Sequence, residues 1–183
     1  FAKKNNLLSL IDNTFASPVN YRPIENGFDL SLHSATKYLN GHTDIVAGAV
    51  IGSKELVTQV RHKLNHLGGS LDPNACFLMH RGIKTLGLRM ERQNYNSFEV
   101  AKFLENHPRV ARVNHPGLES SDSHDRANEL LDGTSGMVSF EIDGSIEDAN
   151  LFMSHLNLFI NTASLGGVES LVTRPVQTSH SGM

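Results

Sequence analysis

The chain has a single cysteine, Cys76, among its 183 residues. A lone thiol excludes an internal disulfide and supplies no cysteine pair of the metal-binding kind, which suits a reducing, cytoplasmic setting. Charge of one sign is lacking too: 16 lysines and arginines against 19 acids leave a net charge of -3, with no basic run. Nothing here draws nucleic acid or an anionic membrane surface. The most apolar run, IVAGAVIG at 45–52, is far shorter than the ~20 residues of a membrane helix, and no signal peptide is visible. An initiator methionine is also missing, so a chain starting at Phe1 reads as a piece of something longer. What remains is an ordinary globular composition, 39% hydrophobic and 19% charged, able to bury a core and hold a small polar ligand.

LLSLID at 7–12 is an apolar run ending in an acid, NTFASPVNYRPIENG breaks into proline, asparagine and glycine, and FDLSLHSA is apolar again. That pattern is strand, connection, strand. If the two strands are parallel neighbours, their carboxyl ends share the sheet edge where open α/β folds bind ligands, and Asp12 and Lys37 emerge together. DIVAGAVIGS reads as a third, buried strand. Residues 53–67 read as a helix with Ser53 as N-cap and Leu56, Val57, Val60, Leu64 and Leu67 on one stripe. Asp72 and Pro73 then open one long helix, or two, reaching Leu104 before His107-Pro108 stops it. Gly82 and Gly87 inside that stretch imply a kink or close packing. The domain boundary is placed here, giving units 1–83 and 84–183. The second reads as a small α+β domain with strands in RVARVNH, GMVSFEI and LNLFINTAS and a helix, IEDANLFMSHL, between the last two.

SLHSATKYLNGHTD at 31–44 carries the chemistry. A lysine forms a Schiff base with a carbonyl when its site is partly desolvated. Ser34 and Thr36 offer hydroxyls and backbone N–H groups to a phosphate, Lys37 reaches an aldehyde, and Asp12 faces the far end of the same ligand. An aspartate beside a pyridine nitrogen keeps it protonated, which is the need of pyridoxal phosphate chemistry. S-x-T-K alone is also a common tetrapeptide, in which the hydroxyls cap backbone and the lysine is solvated. The strand-terminal aspartate is what separates the two readings.

DNTFASP, LHSATKYLNGH, RGIKTLGLRM, HPGLES and SLGGVESLVTRP occur in that order. With them the chain resembles, over nearly its whole length, the Cys/Met-metabolism family of pyridoxal phosphate enzymes, the cystathionine γ-synthase, cystathionine γ-lyase and methionine γ-lyase group. The resemblance implies an α/β fold of type I, aspartate-aminotransferase-like: a mixed, mostly parallel sheet with helices, plus a smaller α+β C-terminal domain. Residues 1–83 would be the second half of the domain that binds pyridoxal 5'-phosphate, and 84–183 most of the small one. Lys37 would be the Schiff-base lysine, Asp12 the ring-nitrogen partner, Thr14 a neighbour of the ring, Ser34 and Thr36 phosphate ligands, and Ser164 and Leu165 substrate contacts. The implied assembly is a homo-oligomer, a dimer with shared sites and then a tetramer.

The sequence departs from that family at several points. The glycine-led phosphate loop, the ring-stacking tyrosine and the residues lent by a neighbouring subunit are absent, and Arg174 does not match the family's substrate-carboxylate arginine. Ala163, next to Thr162, stands where members acting on cystathionine often carry glutamate, which favours methionine-like or bulkier thioether substrates. TSH at 178–180 replaces the family's MTH. The leading expectation is a carbon–sulfur lyase working by β- or γ-elimination. The alternatives are γ-replacement on an activated homoserine, a lyase module inside a larger multi-domain enzyme, and a non-catalytic scaffold, against which the intact Lys37, Asp12, Ser34 and Thr36 speak. No metal site is expected: His62 and His66 lie at i, i+4, but Lys63 stands where H-E-x-x-H has its glutamate. His33 and His42 flank the lysine and read as packing or hydrogen-bonding groups. Asn40, Gly41 and Asp44 shape the turn after Lys37. Cys76 reads as a small apolar residue in a buried helix.

Overall fold

A computed structural model describes residues 1–178. Strand β1 (Leu10–Asp12) runs parallel to β2 (Leu30–Ser34), with Leu10 opposite Leu30 and Asp12 opposite Leu32. Strand β3 (Gly48–Gly52) adds antiparallel to the other edge of β2, giving a mixed sheet in the order β1-β2-β3. The expected parallel pair is present and sets the ends of β1 and β2 side by side. The expected burial of β3 is not: no residue of it is buried, because it is an edge strand with a neighbour on one side only. The connection between β1 and β2 contains a single helical turn, α1 (Ser17–Asn20), built around Pro18. Ser17 adopts φ 60°, a left-handed conformation uncommon outside glycine, and the buried Asn13 side chain holds it there by donating to the carbonyls of Ser17 and Tyr21.

Helix α2 (Lys54–Leu67) begins where its cap predicts, with Ser53 accepting from the Leu56 N–H. Its apolar stripe is only partly covered. Leu56, Val57 and Val60 are half-buried, whereas Leu64 and Leu67 are exposed. Asp72 receives the N–H groups of Asn74 and Ala75 at the start of α3 (Pro73–Ile83). A break at Lys84 and Thr85 separates α3 from α4 (Leu86–Glu105), so the long segment is two helices. Gly82 explains part of this: a Cβ there would overlap the Asn40 carbonyl, whereas Gly87 has open space around it. Cys76 is exposed, contrary to expectation, because α3 turns the face carrying Ala75 and Gly82 inward.

Beyond α4, β4 (Val110–Asn114) pairs antiparallel with β5 (Ser139–Ile142), and α5 (His124–Leu130) lies in the connection. Helix α6 (Ile146–Ser154) starts on a reciprocal cap between Ser145 and Asp148. The short β6 (Ile160–Asn161) and β7 (Leu171–Val172) run parallel. The core is Ala35, Tyr38, Leu39, Leu86 and Met90, with Val19, Ala47, Ala49, Met79 and Leu165 packed around it. It therefore sits directly under the turn that carries Lys37. Among the described residues, no helix is long and apolar enough to cross a membrane.

Candidate active site

Strand β2 ends at Ser34, and the chain closes a tight turn in which Lys37 N–H donates to Ser34 O (3.1 Å), Asn40 N–H to Ala35 O (3.0 Å) and Gly41 N–H to Lys37 O (2.8 Å). Ala35, Tyr38 and Leu39 point into the core, so Lys37 leaves from the opposite side, half-buried. Its Nζ donates to Ser164 Oγ at 3.0 Å. The loop bearing Ser164 can come this close because Gly166, at φ 80°, lies on the backbone of Lys37 and Tyr38; a Cβ there would be 2.5 Å from the Tyr38 nitrogen.

At the end of β1, Asp12 Oδ1 accepts from the Thr14 hydroxyl (2.6 Å) and the Thr14 N–H (3.0 Å). Thr14 Oγ1 in turn accepts from the Ser34 N–H at 2.7 Å, so the hydroxyl ties the two strand ends together. The Thr14 hydroxyl is the main reason the Asp12 carboxyl is held below its usual range; burial opposes this, and the Thr14 N–H and nearby His33 add to it. Asp12 is thus a carboxylate at neutral pH. The buried His33 places Nε2 3.3 Å from Ser31 Oγ, and burial pushes its pKa down against the pull of Asp12.

The remaining candidates divide. No hydrogen bond engages the Ser34 hydroxyl among the described residues, whereas Thr36 Oγ1 accepts from the Ala47 N–H (2.9 Å) and donates to the Ala47 carbonyl (3.3 Å). The Leu165 side chain packs on the core, so what it offers a ligand is its backbone. Thr162 and Ala163 are exposed. His42 is exposed with Nδ1 on Asn40 O, and Asn40 donates to Asp44, so these residues shape the turn. His62 and His66 stack in solvent with ring centroids 4.4 Å apart, and His66 Nδ1 is taken by the His62 carbonyl. Among the described residues no group of three or more His, Cys, Asp or Glu could hold a metal. Arg174 bonds the Asn150 side chain, and Ser179 and His180 of TSH lie outside the described residues.

Sequence reasoning missed a polar stripe on α4. Arg89 donates to the carbonyls of Tyr38 and Leu39, Gln93 to the Gly167 carbonyl, and Ser97 to the Ser135 carbonyl. Asn94 joins Asn20 and the Ser135 N–H. Buried Tyr38 accepts from the Gly136 N–H at 3.0 Å. One helix face thus ties the lysine turn, the Ser164 loop and the segment before β5 together. The available signal was polar residues recurring at i, i+4 and i+8 on the face that also bears Leu86 and Met90.

The fold is that of the type I class of pyridoxal phosphate enzymes. The crystal structure of cystathionine gamma synthase from Xanthomonas oryzae pv. oryzae in complex with cystathionine matches with a TM-score of 0.96 at 40% identity, over 100% of this chain and 47% of that one. The chain belongs to the Cys/Met metabolism PLP-dependent enzymes, whose family model matches residues 1–183. It is 45% identical over 177 residues to cystathionine gamma-synthase 1, chloroplastic, of Arabidopsis thaliana, covering 97% of this chain and 31% of that protein. It is also 45% identical over 183 residues to cystathionine gamma-lyase of Bacillus subtilis, covering 100% and 48%. The chain therefore spans half or less of the length of these relatives.

Proposed function

We propose that the whole protein is a pyridoxal phosphate-dependent carbon–sulfur lyase that splits a sulfur amino acid or thioether by β- or γ-elimination. The observation that carries this reading is the 3.0 Å contact of Lys37 Nζ with Ser164 Oγ, at the sheet edge where Asp12 also ends. Lys37 would hold the carbonyl carbon of the cofactor, Asp12 its ring nitrogen, Thr14 the flank of the ring, and Ser34 and Thr36 its phosphate. Ser164 and the Leu165 backbone face the substrate carboxylate.

The residues fit that group. Asp12 is anionic with one oxygen engaged by Thr14, leaving the other for a protonated nitrogen. The Ser34 hydroxyl is available as a phosphate donor, and Thr36 joins it when its hydroxyl turns away from the Ala47 carbonyl. When bound, the cofactor supplies an electron sink for the carbanion left by loss of the substrate α-proton. Lys37, its amine directed by Ser164, would be the base that takes that proton and the acid that returns one to the departing sulfur group.

Equal identity to a synthase and a lyase keeps γ-replacement as a second reading. The absence of charge at Ala163 favours methionine-like or bulkier thioethers. We further propose a cytoplasmic homo-oligomer, a dimer with shared sites forming a tetramer; exposed Leu67 and Phe77 supply apolar surface for it. The test is incubation of the natural full-length protein with methionine, cystathionine, cysteine and O-acylhomoserine. Release of thiol and oxoacid is the expected result, and thioether formation without oxoacid would assign replacement. Neither product from any of the four would overturn both.

A further inference from the structure

Arg89 lies in the first turn of α4, half-buried, and its guanidinium makes four hydrogen bonds. Nη1 donates to Tyr38 O (2.8 Å), Nη2 to Gly82 O (2.9 Å) and Leu39 O (3.4 Å), and Nε to Thr85 Oγ1 (3.0 Å). All four acceptors are neutral, and no carboxylate pairs with Arg89 among the described residues. Burial pushes its pKa below the usual arginine value. A cation kept half-desolvated without a counter-ion is costly, so its geometry is where a gain must lie.

The four acceptors belong to two chain ends. Tyr38 O and Leu39 O are carbonyls of the tight turn that carries Lys37, left over after Ser34, Ala35 and Lys37 supply its internal acceptors. Gly82 O belongs to the last turn of α3, and Thr85 is the junction residue. One planar fork therefore satisfies the two turn carbonyls, which accept no backbone N–H, and ties them to Gly82 O, which also accepts from the Thr85 N–H and hydroxyl. The packing is tight on two sides: a Cβ on Gly41, at φ 71°, would overlap the guanidinium, and a Cβ on Gly82 would overlap Asn40 O.

We infer that Arg89 is a positioning residue for Lys37, clamping the two carbonyls that follow it to the α3–α4 junction and so fixing the direction in which Nζ leaves the turn. This rests on the reading of Lys37 as the residue that binds the cofactor. A lysine at 89 cannot replace the fork, since one ammonium cannot reach acceptors spread along two chain segments.

The experiment compares wild type, Arg89→Lys, Arg89→Ala and Lys37→Ala in the natural full-length protein. Two rates are read per folded site: covalent attachment of pyridoxal phosphate to cofactor-free protein, followed by visible absorbance, and turnover. In attachment the Lys37 amine bonds to the aldehyde carbon and one water leaves. Both Arg89 variants should attach and turn over about tenfold to about a hundredfold more slowly, while KM moves by less than about threefold. Millimolar guanidinium should restore part of the attachment rate to Arg89→Ala, and ammonium should not. Wild-type rates in both Arg89 variants, whatever their melting temperatures, with attachment lost in Lys37→Ala, would overturn the inference alone. Attachment persisting in Lys37→Ala would overturn the reading of Lys37 and the inference with it.

Discussion

Replacing Gly166 by alanine should damage stability and site together. The residue sits at φ 80°, where a side chain costs roughly 1–2 kcal/mol. The new Cβ would lie 2.5 Å from the Tyr38 nitrogen and 2.8 Å from the Lys37 carbonyl carbon, and both are backbone atoms that cannot rotate aside. Relieving such overpacking costs about 1–3 kcal/mol, so the sum is about 2–5 kcal/mol. Relief requires the loop to move away from the lysine turn, which stretches the 3.0 Å bond between Lys37 and Ser164. Urea unfolding and thiol release should therefore both fall. Gly87→Ala is the matched control: nothing lies within 4 Å of a Cβ there, and it should gain about 0.5–1 kcal/mol with turnover intact. A Gly166→Ala protein as stable and active as wild type would refute the idea that the glycine exists for close approach.

Asp12→Asn should retain cofactor and the contact with Thr14 but lose most turnover, because a neutral amide does not keep a ring nitrogen protonated; unchanged kinetics would remove Asp12 from the site. Asp72→Ala should cost about 1 kcal/mol in a denaturation midpoint, with Asp72→Asn nearly neutral, since the side chain caps α3 through two N–H groups. His33 and His115 are buried and held below the ordinary value of 6.5, so the unfolded chain takes up protons first as pH falls. Stability contributed by their neutral forms is complete above pH 6.5 and is lost as pH falls toward their folded-state values. Unfolding measured at about pH 7.5 and about pH 5 should show that loss, and His115→Gln should reduce it; a flat profile in the unsubstituted protein would contradict it.

Local chemistry was the most legible layer of the sequence. Ser53 and Asp72 cap their helices where side-chain oxygen, proline and apolar spacing placed them, and the ends of β1 and β2 lie side by side because the two apolar runs read as parallel strands. What stayed hidden depended on tertiary neighbours. The turn α1 was invisible because its start relies on a left-handed Ser17 held by Asn13, and α5 because a short polar helix buries only Ala127. The stripe of Arg89, Gln93 and Ser97 was not legible, since polar residues disclose that they point inward only when acceptors far along the chain, on Tyr38, Gly167 and Ser135, are in place. For the same reason β3 read as more buried than it is, and the α2 stripe is only partly covered: periodicity tells which face is apolar, and a neighbouring element decides whether it is covered.

The contact between Lys37 and Ser164 joins residues 127 apart. Ribosomes add roughly 5–20 residues per second, so the lysine is made roughly 6–25 s before the serine that orients it. Throughout that interval the nascent chain has an amine but no partner hydroxyl, and no glycine loop to press on its turn. Chains released before residue 164 would carry Asp12, Ser34 and Lys37 intact and still lack the hydroxyl that orients the Lys37 amine. The orientation of the Lys37 amine thus depends on a loop made long after the lysine itself.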